Sequence, residues 1–368
     1  MLTYFSVTNF KGFNIPLSFN FKAKEYTFNS AVISNGFVKN ALIYGKNGTG
    51  KSSLGFALFD LISHLTDKVF FNEEITKHYK NLDNPPETPV QFEYHFELCG
   101  ANVIYTYAKQ SVHELLHESL KINNRLVVDF DFTSQASKKR FVDRKVFPLL
   151  NIDLPDNHLS VLKYLYRNLP SNTVSELTAL FNFCENMLWY RSLSRGNTFA
   201  GFQNSSETLS KILYKANALD QFKKFLLEND LNYNLHFELR NNEPTLVADF
   251  KNGSAIFDVI ASTGTNALYL FFAWSLLIEK ASFVFIDEFD AFFHFEAARS
   301  IVKRLNELQC QTIVTSHNTY LMRNDLTRPD CCFILTNQQL RSLAECTSKE
   351  LRQAHNLEKM YTNGAFNE

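Results

Sequence analysis

The chain has 368 residues, of which 45% are hydrophobic and 14% aromatic, and this suggests about two globular domains or one large α/β domain with an insertion. Lysine and arginine total 37 and aspartate and glutamate 38, so the overall charge does not require nucleic acid or an anionic membrane as a partner. The longest apolar run, Ala267 to Ile278, is too short to span a bilayer.

The first residues, Met1 to Phe10, alternate as in a β-strand and lack the basic start and continuous apolar run of a signal peptide. The six cysteines show no C-x-x-C spacing, and the ten histidines do not complete a zinc-finger pattern with them. These features favour free thiols in a reducing compartment. We therefore expect a cytoplasmic protein.

Short predicted strands occupy residues 1–44, and the last of them, Ala41–Tyr44, leads into a glycine-rich loop. From Gly45 to Ser52 the sequence fits the phosphate-loop pattern G-x-x-x-x-G-K-S/T at every fixed position. A predicted helix, Leu54 to Leu65, follows directly. The loop therefore has the strand before it and the helix after it that the motif requires.

This loop is suited to capture an anion. Its glycines allow successive backbone N–H groups to point at a triphosphate, and the helix N-terminus adds partial positive charge. Lys51 supplies a point charge for the β- and γ-phosphates, and the Ser52 hydroxyl is the expected Mg²⁺ ligand. The residues assigned to the nucleotide here are Gly45, Lys46, Asn47, Gly48, Thr49, Gly50, Lys51, Ser52 and Ser53.

The middle of the chain divides into a strand-rich and a helix-rich part. Alternating aromatic residues from Val90 to Ala108 predict a hairpin that turns at residues 99–102. Leucine spacing then predicts helices over residues 149–230, which we interpret as a helical insertion. We therefore expect an N-terminal nucleotide-binding lobe (1–148), the insertion (149–230) and a C-terminal lobe (231–368).

Two weaker patterns lie in the N-terminal lobe, residues 1–148. His113 and His117 are four residues apart on a predicted helix, a spacing that suits a metal, but no third ligand is evident. Five basic residues between Lys138 and Lys145 could contact a phosphate backbone, although a solvated loop explains them better.

The C-terminal part contains a second acidic candidate for the nucleotide site. The apolar run Phe283–Ile286 ends in Asp287 and Glu288, which is the form of a Walker B strand. The carboxyl end of such a strand is where α/β folds place ligands. Asp287 is suited to hold Mg²⁺, and Glu288 to position or deprotonate an attacking water.

Two further segments flank this strand in the sequence. Ser262 and Gly264 open a predicted helix, where they form a second candidate anion site. A later predicted strand, which starts at Gln311, delivers His317 to the same sheet edge. We expect this histidine to contact the γ-phosphate.

This order of motifs resembles the ATP-binding cassette (ABC) class of P-loop ATPases. Within that class it is similar to the SMC-like branch, which includes the ATPase region of OLD-family nucleases and many stand-alone ATPases of bacterial anti-phage systems. The likeness covers nearly the whole chain, through an opening strand-turn, a Walker B strand with D-loop, a switch segment and a C-terminal tail: Asn9–Phe13, Asp287–Asp290 with His294, Thr315–Asn318 and residues 357–366. It implies an α/β, ABC-type P-loop fold with an N-terminal antiparallel β lobe, a mostly parallel core sheet and a helical insertion.

The resemblance also implies roles for individual residues. Glu288 and His317 correspond to catalytic residues, and Lys11 lies in the opening turn near the nucleotide. Ser262 and Gly264 stand for the signature motif, which contacts the nucleotide bound by the opposite subunit.

By the same likeness, ATP and Mg²⁺ are the cofactors, with Ser52 and Asp287 as metal ligands. Because phosphate loop and signature face apart on one protomer, a homodimer or higher homo-oligomer would sandwich ATP between subunits. Thr263 departs from the commonest signature, and Gln91 is only a weak match to the family's Q-loop glutamine.

We therefore expect a slow ATPase whose nucleotide-dependent dimerisation controls a separate effector, a nuclease, in anti-phage defence or DNA maintenance. The chain stops after the expected tail, so an appended nuclease domain is not expected. The alternative is a nucleotide-gated, DNA-binding scaffold or clamp of the SMC type without a nuclease. A membrane-transporter ATPase is disfavoured by the unusual signature. DNA stays a candidate partner, and no membrane partner is expected.

Overall fold

The computed structural model describes residues 1–68, 77–133, 140–147, 157–169, 174–191, 198–201, 208–290, 293, 295–336 and 338–366. Within them the chain forms two seven-stranded sheets, one three-stranded sheet and a short two-stranded ribbon.

The strands, in chain order, are β1 (Leu2–Thr8), β2 (Leu17–Asn20), β3 (Ile33–Ser34), β4 (Phe37–Val38), β5 (Asn40–Tyr44), β6 (Val90–Leu98), β7 (Ala101–Ser111), β8 (Glu114–Ile122), β9 (Arg125–Asp131), β10 (Arg140–Val142), β11 (Met187–Arg191), β12 (Thr198–Gly201), β13 (Asn234–Arg240), β14 (Glu243–Phe250), β15 (Gly253–Ile256), β16 (Phe283–Asp287), β17 (Gln311–Ser316), β18 (Cys332–Thr336) and β19 (Gln339–Ser342). The helices are α1 (Lys51–Leu65), α2 (Val161–Arg167), α3 (Ser175–Glu185), α4 (Leu209–Lys215), α5 (Leu219–Leu227), α6 (Phe257–Ile260), α7 (Thr263–Ile278), α8 (Phe295–Glu307) and α9 (Leu357–Thr362). Short 3₁₀ turns span Ser30–Val32, Thr319–Leu321 and Leu343–Glu345.

The core sheet contains the strand that precedes the phosphate loop. Its order is β12-β11-β16-β17-β5-β18-β19, with parallel pairing from β11 through β18 and antiparallel edge strands. Strands β16 and β17 are buried at every residue, because helices and the other sheet cover both faces. The predicted mostly parallel core sheet is confirmed.

The second large sheet is antiparallel throughout, in the order β10-β9-β8-β7-β6-β1-β2. Every second residue of β6 is buried, as expected of a strand with one covered face. The hairpin between β6 and β7 turns at Cys99 and Gly100, whose φ angles of 52° and 77° are those of a two-residue type I′ turn. The predicted antiparallel lobe is confirmed.

The predicted helix around His113 and His117 is wrong. His117 lies within strand β8, which begins at Glu114, and His113 directly precedes that strand. Nε2 of His117 is 3.0 Å from Oδ1 of Asp129 on the neighbouring strand β9. Short leucine-containing runs fit both periods, and here sheet pairing decided the outcome. Across the described ranges, no group of three or more His, Cys, Asp or Glu side chains is arranged to hold a metal.

Helix α1 joins the two large sheets. Most of its residues are buried, which is the pattern of a helix covered on all sides. On one side the hydroxyl of Tyr94 in the antiparallel sheet donates to the Ala57 carbonyl at 2.9 Å. On the other side a Cβ atom at Gly55 would lie 2.6 Å from the Phe285 ring of β16. Glycine at this position therefore permits the close approach of α1 to the core sheet.

The two faces of the core sheet carry different helices. Along β5, Ala41 and Ile43 pack in the apolar cluster that contains α1, whereas Leu42 packs in the cluster that contains α7. Because successive side chains of a strand point to opposite faces, α1 and α7 lie on opposite sides of the sheet.

The predicted helical insertion contains α2 to α5, but a core strand interrupts it. Met187–Arg191 forms β11, which pairs in parallel with β16 from Met187↔Phe283 to Arg191↔Asp287. A short apolar run fits a buried strand and a helix equally well, so periodicity alone did not separate the two. The three-part division of the chain stays a prediction.

The C-terminal segment packs beside the phosphate-loop strand. The Tyr361 ring of α9 meets the Tyr44 ring at the end of β5 edge to face, with centroids 5.0 Å apart. Nδ2 of Asn324 donates to the carbonyl of Arg352 at 3.0 Å, which ties the segment to the chain that follows β17. Among the helices that the structure describes, none has both the length and the apolar character needed to cross a bilayer.

Candidate functional site

The predicted site residues meet at one edge of the core sheet. Strand β17 lies between β5 and β16, and Ser316 at its end is in register with Tyr44 at the end of β5. Three parallel strands therefore end together, and the residues that follow them are Gly45, Glu288 and His317. The carboxyl edge of a parallel sheet is where α/β folds bind ligands.

Two glycines of the loop hold a left-handed backbone, Gly48 with φ of 80° and Gly50 with φ of 97°. Gly45 does not, but a Cβ there would lie 2.6 Å from Oγ1 of Thr49. The loop is also closed by the Thr49 hydroxyl, which donates to the Lys46 carbonyl at 2.9 Å. Lys46 and Asn47 are exposed at its tip, and Ser53 is half-buried at the start of α1.

The opening strand-turn packs directly on the phosphate loop. A Cβ atom at Gly50 would lie 2.9 Å from the Phe13 ring, so this ring covers the loop where α1 begins. Lys11 has a left-handed φ of 48°, and its ammonium lies 5.6 Å from the centroid of the Phe56 ring on α1. The sequence suggested proximity of this turn, and the structure brings Phe13 into contact.

Lys51 is nearly buried, with 5% of its surface exposed. Its ammonium donates to the carbonyls of Gly45 at 2.8 Å and Lys46 at 3.1 Å. Burial lowers the pKa of Lys51, and the nearby carboxylates of Glu288 and Asp287 partly oppose this effect. The site thus holds a cation that is short of solvent and close to the loop carbonyls.

The Walker B carboxylate faces the start of α1. Ser52 Oγ donates to Oδ2 of Asp287 at 2.6 Å, and the Thr315 hydroxyl donates to Oδ1 of Asp287 at 2.8 Å. Asp287 is fully buried. A buried carboxylate beside a hydroxyl is a set of hard oxygen donors, which is the chemistry that Mg²⁺ prefers. These residues fit the predicted metal.

Thr315 also positions Glu288, a contact that the sequence interpretation missed. The Glu288 backbone N–H donates to the Thr315 hydroxyl oxygen at 2.8 Å, while Glu288 itself adopts a left-handed φ of 50°. Such a φ is strained for a residue with a side chain, and it turns the chain sharply after β16. The only sequence signal was a threonine near the end of an apolar strand.

His317 bridges the phosphate loop and Glu288. Nδ1 of His317 lies 3.0 Å from the Gly45 carbonyl oxygen, which can only accept, and 3.3 Å from the Lys51 ammonium, which can only donate, so the tautomer decides which of these two contacts is a hydrogen bond. Nε2 faces Oε1 of Glu288 at 3.6 Å. This contact is attractive when a proton lies on Nε2 or on the carboxyl group, so the pair can hold or pass a proton.

Asp290 stabilises the switch segment, Thr315–Asn318, by accepting a hydrogen bond from Ser316. Ser316 Oγ donates to Oδ2 of Asp290 at 2.7 Å and accepts the Asn318 backbone N–H at 2.8 Å. Burial raises the pKa of the Asp290 carboxyl group, and the bond from Ser316 partly offsets this. His294 of the predicted D-loop lies outside the described residues.

The predicted signature residues lie at the start of α7. The Ser262 hydroxyl accepts the Thr265 backbone N–H at 3.2 Å, which makes it the N-cap of this helix. Ser262 and Thr263 are exposed and Gly264 is half-buried. Ser262 therefore starts a helix on the face of the core sheet opposite to α1, which follows the phosphate loop. Gln91 lies in β6, opposite Thr8 of β1.

Comparison with known proteins gave one family. Residues 41–323 match the family model described as "AAA domain, putative AbiEii toxin, Type IV TA system". The search of curated proteins found no significant match.

Solved structures with similar folds include two SMC head domains and one recombination mediator protein. The SMC head domain from Thermotoga maritima is 15% identical, with 92% of this chain and 97% of that chain covered and a TM-score of 0.44. The Smc head domain with an extended coiled coil, bound to the C-terminal domain of ScpA from Pyrococcus furiosus, is 13% identical. The match covers 94% of this chain and 97% of that chain, with a TM-score of 0.45. The recombination mediator RecF with ATP is 13% identical, with 93% of this chain and 99% of that chain covered and a TM-score of 0.41. Because these TM-scores lie below 0.5, we draw no functional conclusion from them.

Lys51→Met should remove triphosphate binding while the fold persists. In the unmodified chain, Mg-ATP at about 100 times its Kd should stabilise the protein by about 2.7 kcal/mol and raise Tm by ~3–4 °C. The variant should show no such shift, and its own Tm without ATP should stay near the original, since the lost ammonium is poorly solvated. Differential scanning calorimetry measures both. Lys22→Met, at an exposed lysine, is the matched control, and an undiminished shift in Lys51→Met would contradict this assignment.

Proposed function

The chain belongs to the AAA-domain family described as putative AbiEii toxin of type IV toxin–antitoxin systems, and on this premise we propose that it binds and hydrolyses ATP to control a separate effector. Membership confirms the resemblance to SMC-like ATPases of the ABC class. The observation that carries the proposal is the convergence of five side chains at one sheet edge: Lys51, Ser52, Asp287, Glu288 and His317.

In the proposed site, Lys51 and the loop N–H groups hold the β- and γ-phosphates. Ser52 and Asp287 would hold Mg²⁺, which neutralises charge on the phosphates. Glu288 accepts a proton from a water as that water attacks the γ-phosphorus, and the bond from phosphorus to the bridging oxygen breaks. His317, beside both Gly45 and Glu288, orients the γ-phosphate and the base.

We propose that a second copy completes the site. Ser262 and Gly264 lie at the start of α7, on the face of the core sheet opposite to α1, and this placement supports a role at the phosphate loop of another chain. In a head-to-tail pair, each signature would contact the ATP on the partner's loop. ATP would then hold the dimer together, and hydrolysis would release it.

The effector is proposed to be a nuclease that acts in anti-phage defence or DNA maintenance, in the cytoplasm. Support comes from the resemblance to stand-alone ATPases of defence systems. Exposed apolar side chains around α4, α5 and β13 offer a docking surface, with Tyr214, Leu227 and Leu239 exposed by 52%, 60% and 72%. Lys138 and Lys139 of the basic run lie outside the described residues, so DNA contact there is not proposed.

Thr315→Val should lower kcat by about a hundredfold, because the Asp287 carboxylate loses its hydroxyl donor and the Glu288 backbone N–H loses its acceptor. ATP affinity should change little, since Lys51 and the loop are intact. Thr315→Ser keeps the hydroxyl and should restore most of the rate. Steady-state phosphate release and equilibrium ATP binding separate the two effects, and equal rates for Val and Ser would contradict the positioning role.

Glu288→Gln should bind Mg-ATP without hydrolysing it and accumulate as a dimer. Light scattering should show the mass rising from 42.5 kDa to twice that value on addition of Mg-ATP. The double variant Glu288→Gln, Lys51→Met is the control and should stay monomeric. A Glu288→Gln protein that remains monomeric in saturating Mg-ATP would count against the composite site.

Affinity purification of tagged Glu288→Gln from its native cells should retain a nuclease, identified by mass spectrometry, that the matched Lys51→Met bait does not retain. The reason is that only the first variant holds the proposed ATP-bound state. Retention of DNA without a nuclease would instead support the nucleotide-gated scaffold. A membrane permease on either bait would contradict both functions.

A further inference from the structure

A cavity of about 320 Å³ lies at the end of α1 that is remote from the phosphate loop. Its walls come from the last turn of α1, the β7–β8 connection and the residues around the start of α2. None of the residues of the nucleotide site lines it. Its volume is within the range of roughly 300–1,000 Å³ that is usual for small-molecule sites.

The lining is rich in cations. Lys68, Lys109 and Lys163 line the cavity, while Asp67 is the one carboxylate among its described lining residues. Lys109 and His64 are more than nine-tenths buried, with 4% and 8% of their surfaces exposed. Buried charged side chains in a cavity wall distinguish a formed pocket from a solvated surface cluster.

Hydrogen bonds fix these cations in place. Lys109 Nζ contacts Oδ2 of Asp60 at 2.6 Å, and Lys163 Nζ donates to the Thr66 carbonyl at 2.7 Å and contacts Asp67 Oδ1 at 2.9 Å. An ammonium group has three donors, so a fixed lysine of this kind can also meet a ligand oxygen.

His64 is a buried histidine in the wall of the cavity. Its Nε2 lies 2.8 Å from the Tyr105 hydroxyl, and its ring stacks on Tyr107 with centroids 4.1 Å apart. Burial lowers the pKa of His64 well below its usual value, and the charges of Lys109 and Lys163 lower it further. The lowered pKa favours a neutral imidazole, and Oε1 of the buried Glu118 lies 3.8 Å from Nε2 of His64. The preference of the cavity for an anion therefore rests on the three lysines that line it.

Another part of the lining is apolar. Val112, Leu115 and Leu159 provide it, and Leu159 is 38% exposed. An occupant that satisfies both parts carries negative charge at one end and a less polar body at the other.

We propose that this cavity is a second ligand site, which binds a small phosphomonoester of nucleoside monophosphate size. The phosphate lies against Lys68 and Lys163, and the organic part lies against Leu115 and Leu159.

The test uses the full chain with Lys51→Met, so that the phosphate loop does not bind the probes. Isothermal titration calorimetry with inorganic phosphate, AMP and adenosine should show binding of phosphate and AMP, and weaker binding of adenosine. Lys68→Met and Lys163→Met should each weaken AMP binding at least tenfold. Lys121→Met, at an exposed lysine of β8 outside the cavity, should leave it unchanged.

Leu159→Glu gives a second test that removes no cation, since it adds negative charge at an exposed residue of the lining and should also weaken AMP binding. The proposal is overturned if neither phosphate nor AMP binds up to about 10 mM. It is equally overturned if the three cavity variants bind AMP as well as the Lys121→Met control. Because every arm uses a chain that cannot bind at the phosphate loop, these outcomes are independent of whether the protein hydrolyses ATP.

Discussion

The position of the phosphate loop depends on the burial of α1 between two β-sheets. Tyr94 binds the helix from the antiparallel sheet, and the Phe285 ring reaches the helix backbone at Gly55 from the core sheet. Two layers of packing thus fix the helix whose first turn carries Lys51 and Ser52. The same burial fixes the far end of the helix, where Asp60 accepts from Lys109. A buried ion pair of this kind is costly to break from one side.

At the sheet edge, like charges are held close together. Asp287, Glu288 and Asp290 all lie near Lys51. Thr315 donates to the Asp287 carboxylate and accepts the Glu288 backbone N–H, and Ser316 donates to the Asp290 carboxylate. Hydroxyl groups suit this task because each can donate and accept at once. The acidic edge is therefore ordered before any phosphate charge is added, which reduces the reorganisation that binding and chemistry require.

The sequence predicted which residues would meet, because parallel strands end at one edge and the motifs follow those strands. Gly45, Asp287 and His317 were assigned in this way. What the sequence did not predict depends on side-chain packing between distant segments. The Phe13 ring against Gly50 and the double role of Thr315 have no local signature. The strand β11 was missed because its run of four apolar residues, Met187–Tyr190, has no distinguishing period.

The placement of β17 between β5 and β16 has a consequence for biosynthesis. Tyr44 is in register with Ser316, so the core sheet joins residues that the ribosome makes far apart in time. When β5 and α1 leave the ribosome, their neighbours in the core sheet do not yet exist, and their apolar faces stay uncovered. Non-local pairing of this kind slows folding and exposes surfaces that chaperones recognise. A nascent chain that ends before residue 311 therefore carries the complete phosphate-loop motif but lacks the strand beside it.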